Sequence, residues 1–251
     1  MRLGALLGPI KDPSNPRWLQ QQAQRLEAEG YESLWTAQAI GRGFMFPDPF
    51  TTLAVAASVT ERVPLGTAVV QAPLYSVVDL AHRIASLHQL CGERLVMGLG
   101  AGSTESDFLA FGRDYDQRFN NLRQGVKDLR TVLSGGSHAA TSLDLWPSIV
   151  GGPPLFLGSW GKGVNTAARS YDGWIASAHY RTPEEVVSAL GRYRAAGGGQ
   201  AVVSTIETSA QTDLGELRAK LDQFAAAGFD DAVVLFAQGA PESAAVRKLF
   251  G

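Results

Sequence analysis

Residues 63–70, VPLGTAVV, and residues 94–102, RLVMGLGAG, are two short apolar runs with one helical segment between them, which closes on LHQLCGE at 87–93. Runs of this length, one introduced by Pro64 and the other punctuated by Gly100 and Gly102, read as β-strands. Strand, helix and strand make a βαβ unit, and its crossover helix returns the chain so that the two strands pair in parallel. In parallel sheets, chemistry collects at the carboxyl ends of the strands. The residues that follow Val70 and Gly100 are therefore the first candidates for a site.

The same alternation extends in both directions. A first strand at 3–7 is stopped by Gly8 and Pro9, and Asn15 with Pro16 predicts the cap and first position of a helix reaching Gly30. Strand two is expected at 33–37. Asp48 and Pro49 then open a helix in which Leu53, Val55, Ala56 and Val59 suit burial. The third strand ends at Val70, and the fourth spans 95–99. Between Arg118 and Leu133, apolar Leu122, Val126, Leu129 and Leu133 recur at helical spacing, and Gly135 and Gly136 close that helix. A polar, Gly/Pro-punctuated connection fills 137–152. Further strands are expected at 155–157, 174–177, 201–206 and 232–236, with Thr182–Pro183 and Asp213 opening two of the intervening helices. Eight strands alternating with helices over 251 residues predict the α/β class, a single closed (β/α)8 TIM barrel with residues 1–251 as one domain.

Composition narrows the function. The chain is 45% hydrophobic with a net charge of −2, and its Lys and Arg are scattered, so neither nucleic acid nor an anionic membrane surface is an expected partner. The single cysteine, Cys91, cannot form an intrachain disulfide, fits a reducing compartment, and reads as a structural thiol at a helix end. The apolar run before Pro9 is too short for a signal or a membrane span, so a cytoplasmic location is expected. The four histidines lack metal-ligand spacing and no metal is expected: His82 and His88 share one helix, and His138 lies in the polar connection.

The segment Gly158, Ser159, Trp160, Gly161, Lys162, Gly163 lies between the fifth strand and a helix. Its glycines can offer backbone N–H donors at a helix N-terminus, while Ser159 adds a hydroxyl and Lys162 a positive charge, the combination a phosphate needs. Trp160 is placed to cover a cofactor or substrate. Trp35 and Trp174 suit core packing instead.

Taken in order, GYESLW (30–35), LGTAVV (65–70), LHQLCGERL (87–95), VMGLGAGSTESDFLAFG (96–112), residues 154–163 and YDGWI (171–175) resemble the bacterial luciferase-like flavin oxidoreductases over nearly the whole chain. The resemblance implies the same barrel and oxidation of a small organic substrate with reduced FMN and dioxygen. Hydride transfer with coenzyme F420, or a non-catalytic flavin-binding barrel that has lost its catalytic histidine, are the alternatives. It further implies a non-prolyl cis peptide at Ala68–Val69 beneath the flavin ring, and a flavin phosphate in the 158–163 loop. A homodimer through the second and third helices is also implied, to which the small Ala54, Ala56, Ala57 and Ala85 are suited. Gly98, Gly100 and Gly102 miss the spacing of a dinucleotide fingerprint, and would instead let the backbone approach a flat ring or its ribityl chain.

Two departures from the luciferase pattern stand out. Ala101 stands where luciferases carry an arginine for the flavin phosphate, which favours the deazaflavin coenzyme F420. Gln38 and Ala39 stand where family members carry an acidic residue and a histidine. The remaining acid/base candidates lie on the same rim: His179 after strand six, Glu207 after strand seven, and Gln38 itself, with Gln238 after strand eight. Each reads equally as a polar residue of a strand end.

Overall fold

Short β-branched runs separated by amphipathic segments give each repeat one strand and one helix, and closure follows from how the strands pair. The computed structural model describes residues 1–42 and 45–250. Its strands are β1 (Arg2–Leu6), β2 (Ser33–Thr36), β3 (Leu65–Thr67), β4 (Val70–Gln71), β5 (Leu95–Gly100), β6 (Ser137–His138), β7 (Thr141–Ser142), β8 (Leu155–Gly158), β9 (Gly173–Ser177), β10 (Gln200–Thr208) and β11 (Asp231–Phe236). The helices are α1 (Trp18–Ala28), α2 (Pro49–Val59), α3 (Val77–Cys91), α4 (Glu105–Ala110), α5 (Arg118–Leu133), α6 (Lys162–Ser170), α7 (Pro183–Ala195), α8 (Leu214–Ala227) and α9 (Ser243–Lys248).

Parallel pairing runs β3, β2, β1, β11, β10, β9, β8, β5, and β3 pairs with β5 as well, which closes the ring. β3 and β4 are two pieces of one barrel strand, so the ring is the expected eight-stranded (β/α)8 barrel. Side chains alternate between two cores, as a period of two requires. Leu6, Trp35, Phe156, Ile175, Val202 and Val233 fill the barrel interior. Leu3, Ala5, Leu34, Leu65, Leu155, Trp174, Val203 and Val234 face the helices in a second, larger core.

The N-terminal end of the barrel is finished by carboxylates. A parallel strand's first N–H needs an acceptor, and Glu32, Asp172 and Asp230 supply one to Leu3 (3.1 Å), Leu155 (2.8 Å) and Ala201 (2.7 Å). Asp231, 1% exposed, takes two bonds from the Arg2 guanidinium (2.6 and 3.2 Å) and one from Ser33 Oγ (2.8 Å). Glu27 accepts the N–H groups of Glu61, Arg62 and Val63. Burial opposes ionisation of Glu27, but those backbone donors outweigh it and hold its carboxyl below the ordinary value.

Several elements differ from the sequence reading. Asn15 does not cap α1: its side chain accepts the Arg17 N–H (2.9 Å) in a local turn, and the helix begins at Trp18. The third strand breaks at Ala68–Val69. The 137–152 connection contains the β6–β7 hairpin, and the short α4 and α9 lack the length that makes a periodic pattern legible. Glu207 lies inside β10 and not beyond it. Asp48, Thr182 and Asp213 do cap their helices, Thr182 in a capping box with Glu185. Cys91 is buried, which pushes its thiol up to about 11 and leaves it a packing group. Ala56 and Ala85 are spent in the chain's own core. Among the described residues no helix is long and apolar enough to cross a membrane.

Candidate functional site

At the C-terminal rim, the interruption between β3 and β4 is a cis peptide at Ala68–Val69. Ala68 N–H donates to the Thr36 carbonyl (2.7 Å), and the Val69 carbonyl accepts Gln38 N–H (3.1 Å). Both ends of the Gln38 side-chain amide are engaged as well: Oε1 accepts Gln71 N–H (2.8 Å) and Nε2 donates to Tyr75 Oη (2.8 Å). Burial, the first cause, raises the Tyr75 phenol, so it stays a neutral acceptor. Gln38 thus ties the ends of β2 and β4 together. The side chain of Val69 lies over the strand-end glycines. A Cβ on Gly100 would come 2.6 Å from Val69 Cγ2, and one on Gly158 2.5 Å from Val69 Cγ1. These two glycines make room for Val69, a partner that the glycine spacing alone does not reveal.

The next loop joins β8 to α6. Gly161 caps α6 at φ +58, a conformation glycine adopts without a Cβ penalty. Trp174 Nε1–H donates to the Ser159 carbonyl (3.2 Å), which anchors the loop to the helix-facing core. A Cβ on Gly163 would come 2.8 Å from the Ser159 side chain, so only glycine lets the first turn of α6 close over that serine. Ser159 Oγ is buried with no hydrogen-bond partner. Lys162 is exposed. Gly163 and Val164 N–H turn back on the Trp160 and Gly161 carbonyls, so those two donors are already engaged. Arg181, which the sequence reading passed over, lays its guanidinium 4.5 Å from the Trp160 ring centroid. Its signal was available: it follows His179 by two residues on the same rim. Ala101 is a buried side chain of the outer core.

His179 and Glu207 meet. His179 Nδ1 is 3.0 Å from Glu207 Oε2, with side-chain exposures of 37% and 44%. The cause lies in β10. Val203 pairs with Ala232 and Ile206 with Val234, three steps along β10 against two along β11, which is a β-bulge. Thr205 sits in the bulge at φ +57. Before it, Val202 points into the barrel and Val203 toward the helices, but after it Ile206 joins the helix-facing core. Glu207 is thereby turned to the inner rim, where unbroken alternation would aim it outward. A β-branched residue at positive φ costs on the order of 1–3 kcal/mol, whereas an exposed imidazole–carboxylate contact returns about 0–1 kcal/mol. The His179–Glu207 contact by itself therefore does not offset the cost of the bulge.

A second polar cluster ties the loop after β2 to α4. Arg42 bonds Thr104 Oγ1 and reaches Asp107 (3.5 Å), whose carboxylate, 2% exposed, also accepts Gln71 Nε2–H (3.3 Å). No group of three His, Cys, Asp or Glu gathers among the described residues.

A sequence model of the luciferase-like monooxygenase family matches residues 3–249. Over 138 residues the chain is 32% identical to 4-hydroxyprotoasukamycin monooxygenase of Streptomyces nodosus subsp. asukaensis, covering 53% of this chain and 37% of that one. The chain spans between 37% and 57% of the length of the first curated relatives it matches. The crystal structure of monooxygenase RslO1 from Streptomyces bottropensis superposes with a TM-score of 0.80 at 20% identity, over 100% of this chain and 97% of that one. An F420-dependent secondary alcohol dehydrogenase with an F420–acetone adduct gives 0.77 at 15% identity, over 99% and 96%. At these identities the structural likeness is one of fold. The chain belongs to the luciferase-like monooxygenase family.

Proposed function

We propose that this member of the luciferase-like monooxygenase family is an oxidoreductase that uses reduced FMN and dioxygen on a small organic substrate. The observation that carries the reading is the β8–α6 loop, which holds a buried Ser159 hydroxyl without a partner, the exposed Lys162 and the N-terminus of α6 within a few residues of one another. That donor set fits a phosphate monoester. Ser159 and Lys162 would hold the phosphate of FMN, with Arg181 beside Trp160 as a neighbouring charge, and Val69 would support the ring. The bound ring supplies the redox chemistry, and the protein supplies binding and orientation.

Hydride transfer with coenzyme F420 is the second reading. Ala101 favours it, because no cation follows β5 at the position where luciferases place one, and so does the F420-dependent dehydrogenase of the same fold. A cytoplasmic homodimer formed through α2 and α3 belongs to the same proposal.

Equilibrium binding of FMN, riboflavin and F420 to wild type and Lys162→Ala tests this. FMN should bind, and Lys162→Ala should weaken it about tenfold while leaving riboflavin unchanged. Equal loss for riboflavin would remove the phosphate assignment. Preferential binding of F420 would select the second reading, and failure of all three to bind would remove both. Turnover of the reduced cofactor above background separates an enzyme from a non-catalytic flavin barrel.

A further inference from the structure

From the geometry of the rim, we infer that His179 and Glu207 work as one acid/base couple, with His179 Nε2 exchanging a proton with the substrate and Glu207 positioning the imidazole. This role rests on the oxidoreductase reading above. The four candidate positions at the ends of β2 and β5 supply no free base. Ala39 and Ala101 have nothing to titrate, Gln38 is held by Gln71 and Tyr75, and Asp107 is held by Gln71 and Arg42. His179 and Glu207 instead come from two different strands, and meet only because the β10 bulge turns Glu207 inward.

The contact fixes a tautomer. An ionised carboxylate only accepts, so the proton on the shared edge belongs to His179 Nδ1 and leaves Nε2 with its lone pair. A backbone bond and a ring contact lie beside it. His179 N–H lies 3.4 Å from Ser177 Oγ, and the Tyr180 ring stands edge-on at 4.2 Å between centroids. A proton leaving a substrate O–H or N–H passes to Nε2. The imidazolium that results lies against the Glu207 carboxylate, and its proton returns to water through the exposed side of the ring. The electron pair is carried by the bound cofactor, so the substrate class is one that exchanges a proton at oxygen or nitrogen in that reaction: a phenol or carbonyl compound oxygenated with reduced FMN and dioxygen or, in the second reading, an alcohol whose hydride passes to oxidised F420.

Two measurements test the couple, one of which needs no cofactor. In 15N-imidazole NMR of the cofactor-free chain at alkaline pH, His179 should show a protonated Nδ1 and a bare Nε2, and Glu207→Gln should redistribute the two forms. A wild-type His179 in the opposite tautomer would overturn the inference whatever the cofactor. In turnover assays, His179→Ala should lower kcat about 100-fold at unchanged cofactor affinity, with partial rescue by added imidazole, and Glu207→Gln about tenfold. Unchanged kcat in His179→Ala, or a loss that imidazole does not restore, would overturn it. The expected tautomer in a wild type that turns over none of the cofactors would leave the geometry standing and remove the oxidoreductase reading, and the catalytic role with it.

Discussion

The two ends of the barrel use the same residue types for opposite ends. At the N-terminal end, Glu27, Glu32, Asp172, Asp230 and Asp231 each accept backbone N–H groups or a guanidinium, and their acceptor capacity goes into holding strands in place. At the C-terminal end, Glu207 spends its carboxylate on one exposed imidazole, Ser159 Oγ and Gln71 Oε1 have no partner, and Tyr180 is 81% exposed. A carboxylate that closes a strand end stabilises, while one that holds a half-exposed histidine contributes almost nothing to folding and is free to serve chemistry.

The sharpest way to break this division is at Asp231. Asp231→Ala leaves the buried Ser33 hydroxyl without its acceptor and returns the half-exposed Arg2 guanidinium to water, and should cost about 2 kcal/mol, lowering the thermal midpoint by roughly 6 °C at unchanged cofactor affinity. Loss of binding in the folded variant would show that the two ends are coupled.

Gln38, like Asp107, is an exception that sharpens the contrast, a rim residue used as a strut. Gln38→Ala orphans Gln71 N–H and should destabilise by about 1–2 kcal/mol, measured by urea unfolding. A variant of unchanged stability whose turnover collapses would instead make Gln38 a catalytic residue.

The smallest effect is at Glu27. Glu27→Gln should cost about 1 kcal/mol at neutral pH. Because the folded carboxyl titrates below the ordinary 4.5, its stabilisation is present above that value and disappears as pH falls through the folded one. Unfolding curves of wild type and variant should differ at pH 7 and converge in acid. A constant gap would assign the effect to packing.

Much of this was legible in the residues alone. Asp48–Pro49, Thr182–Pro183 and Asp213 announce helices because a cap acts within one turn, and the β8–α6 loop stands out because its glycines, serine and lysine are contiguous. The Arg42–Thr104–Asp107–Gln71 cluster was not legible, since its members come from the loop after β2, the end of β4 and the start of α4, brought together only by closure. Asn15 misled because an Asx turn and a helix cap use the same side-chain acceptor.

The sequence by itself determined the alternation, and with it the barrel and the rim on which the site sits, since strand and helix periods are local properties. Tertiary structure alone decided which way the rim residues face. Gly100 and Gly158 yield to Val69 across strand pairings. Glu207 meets His179 because β10 spends three residues where β11 spends two. That count belongs to a pair of strands in register, and no single strand carries it.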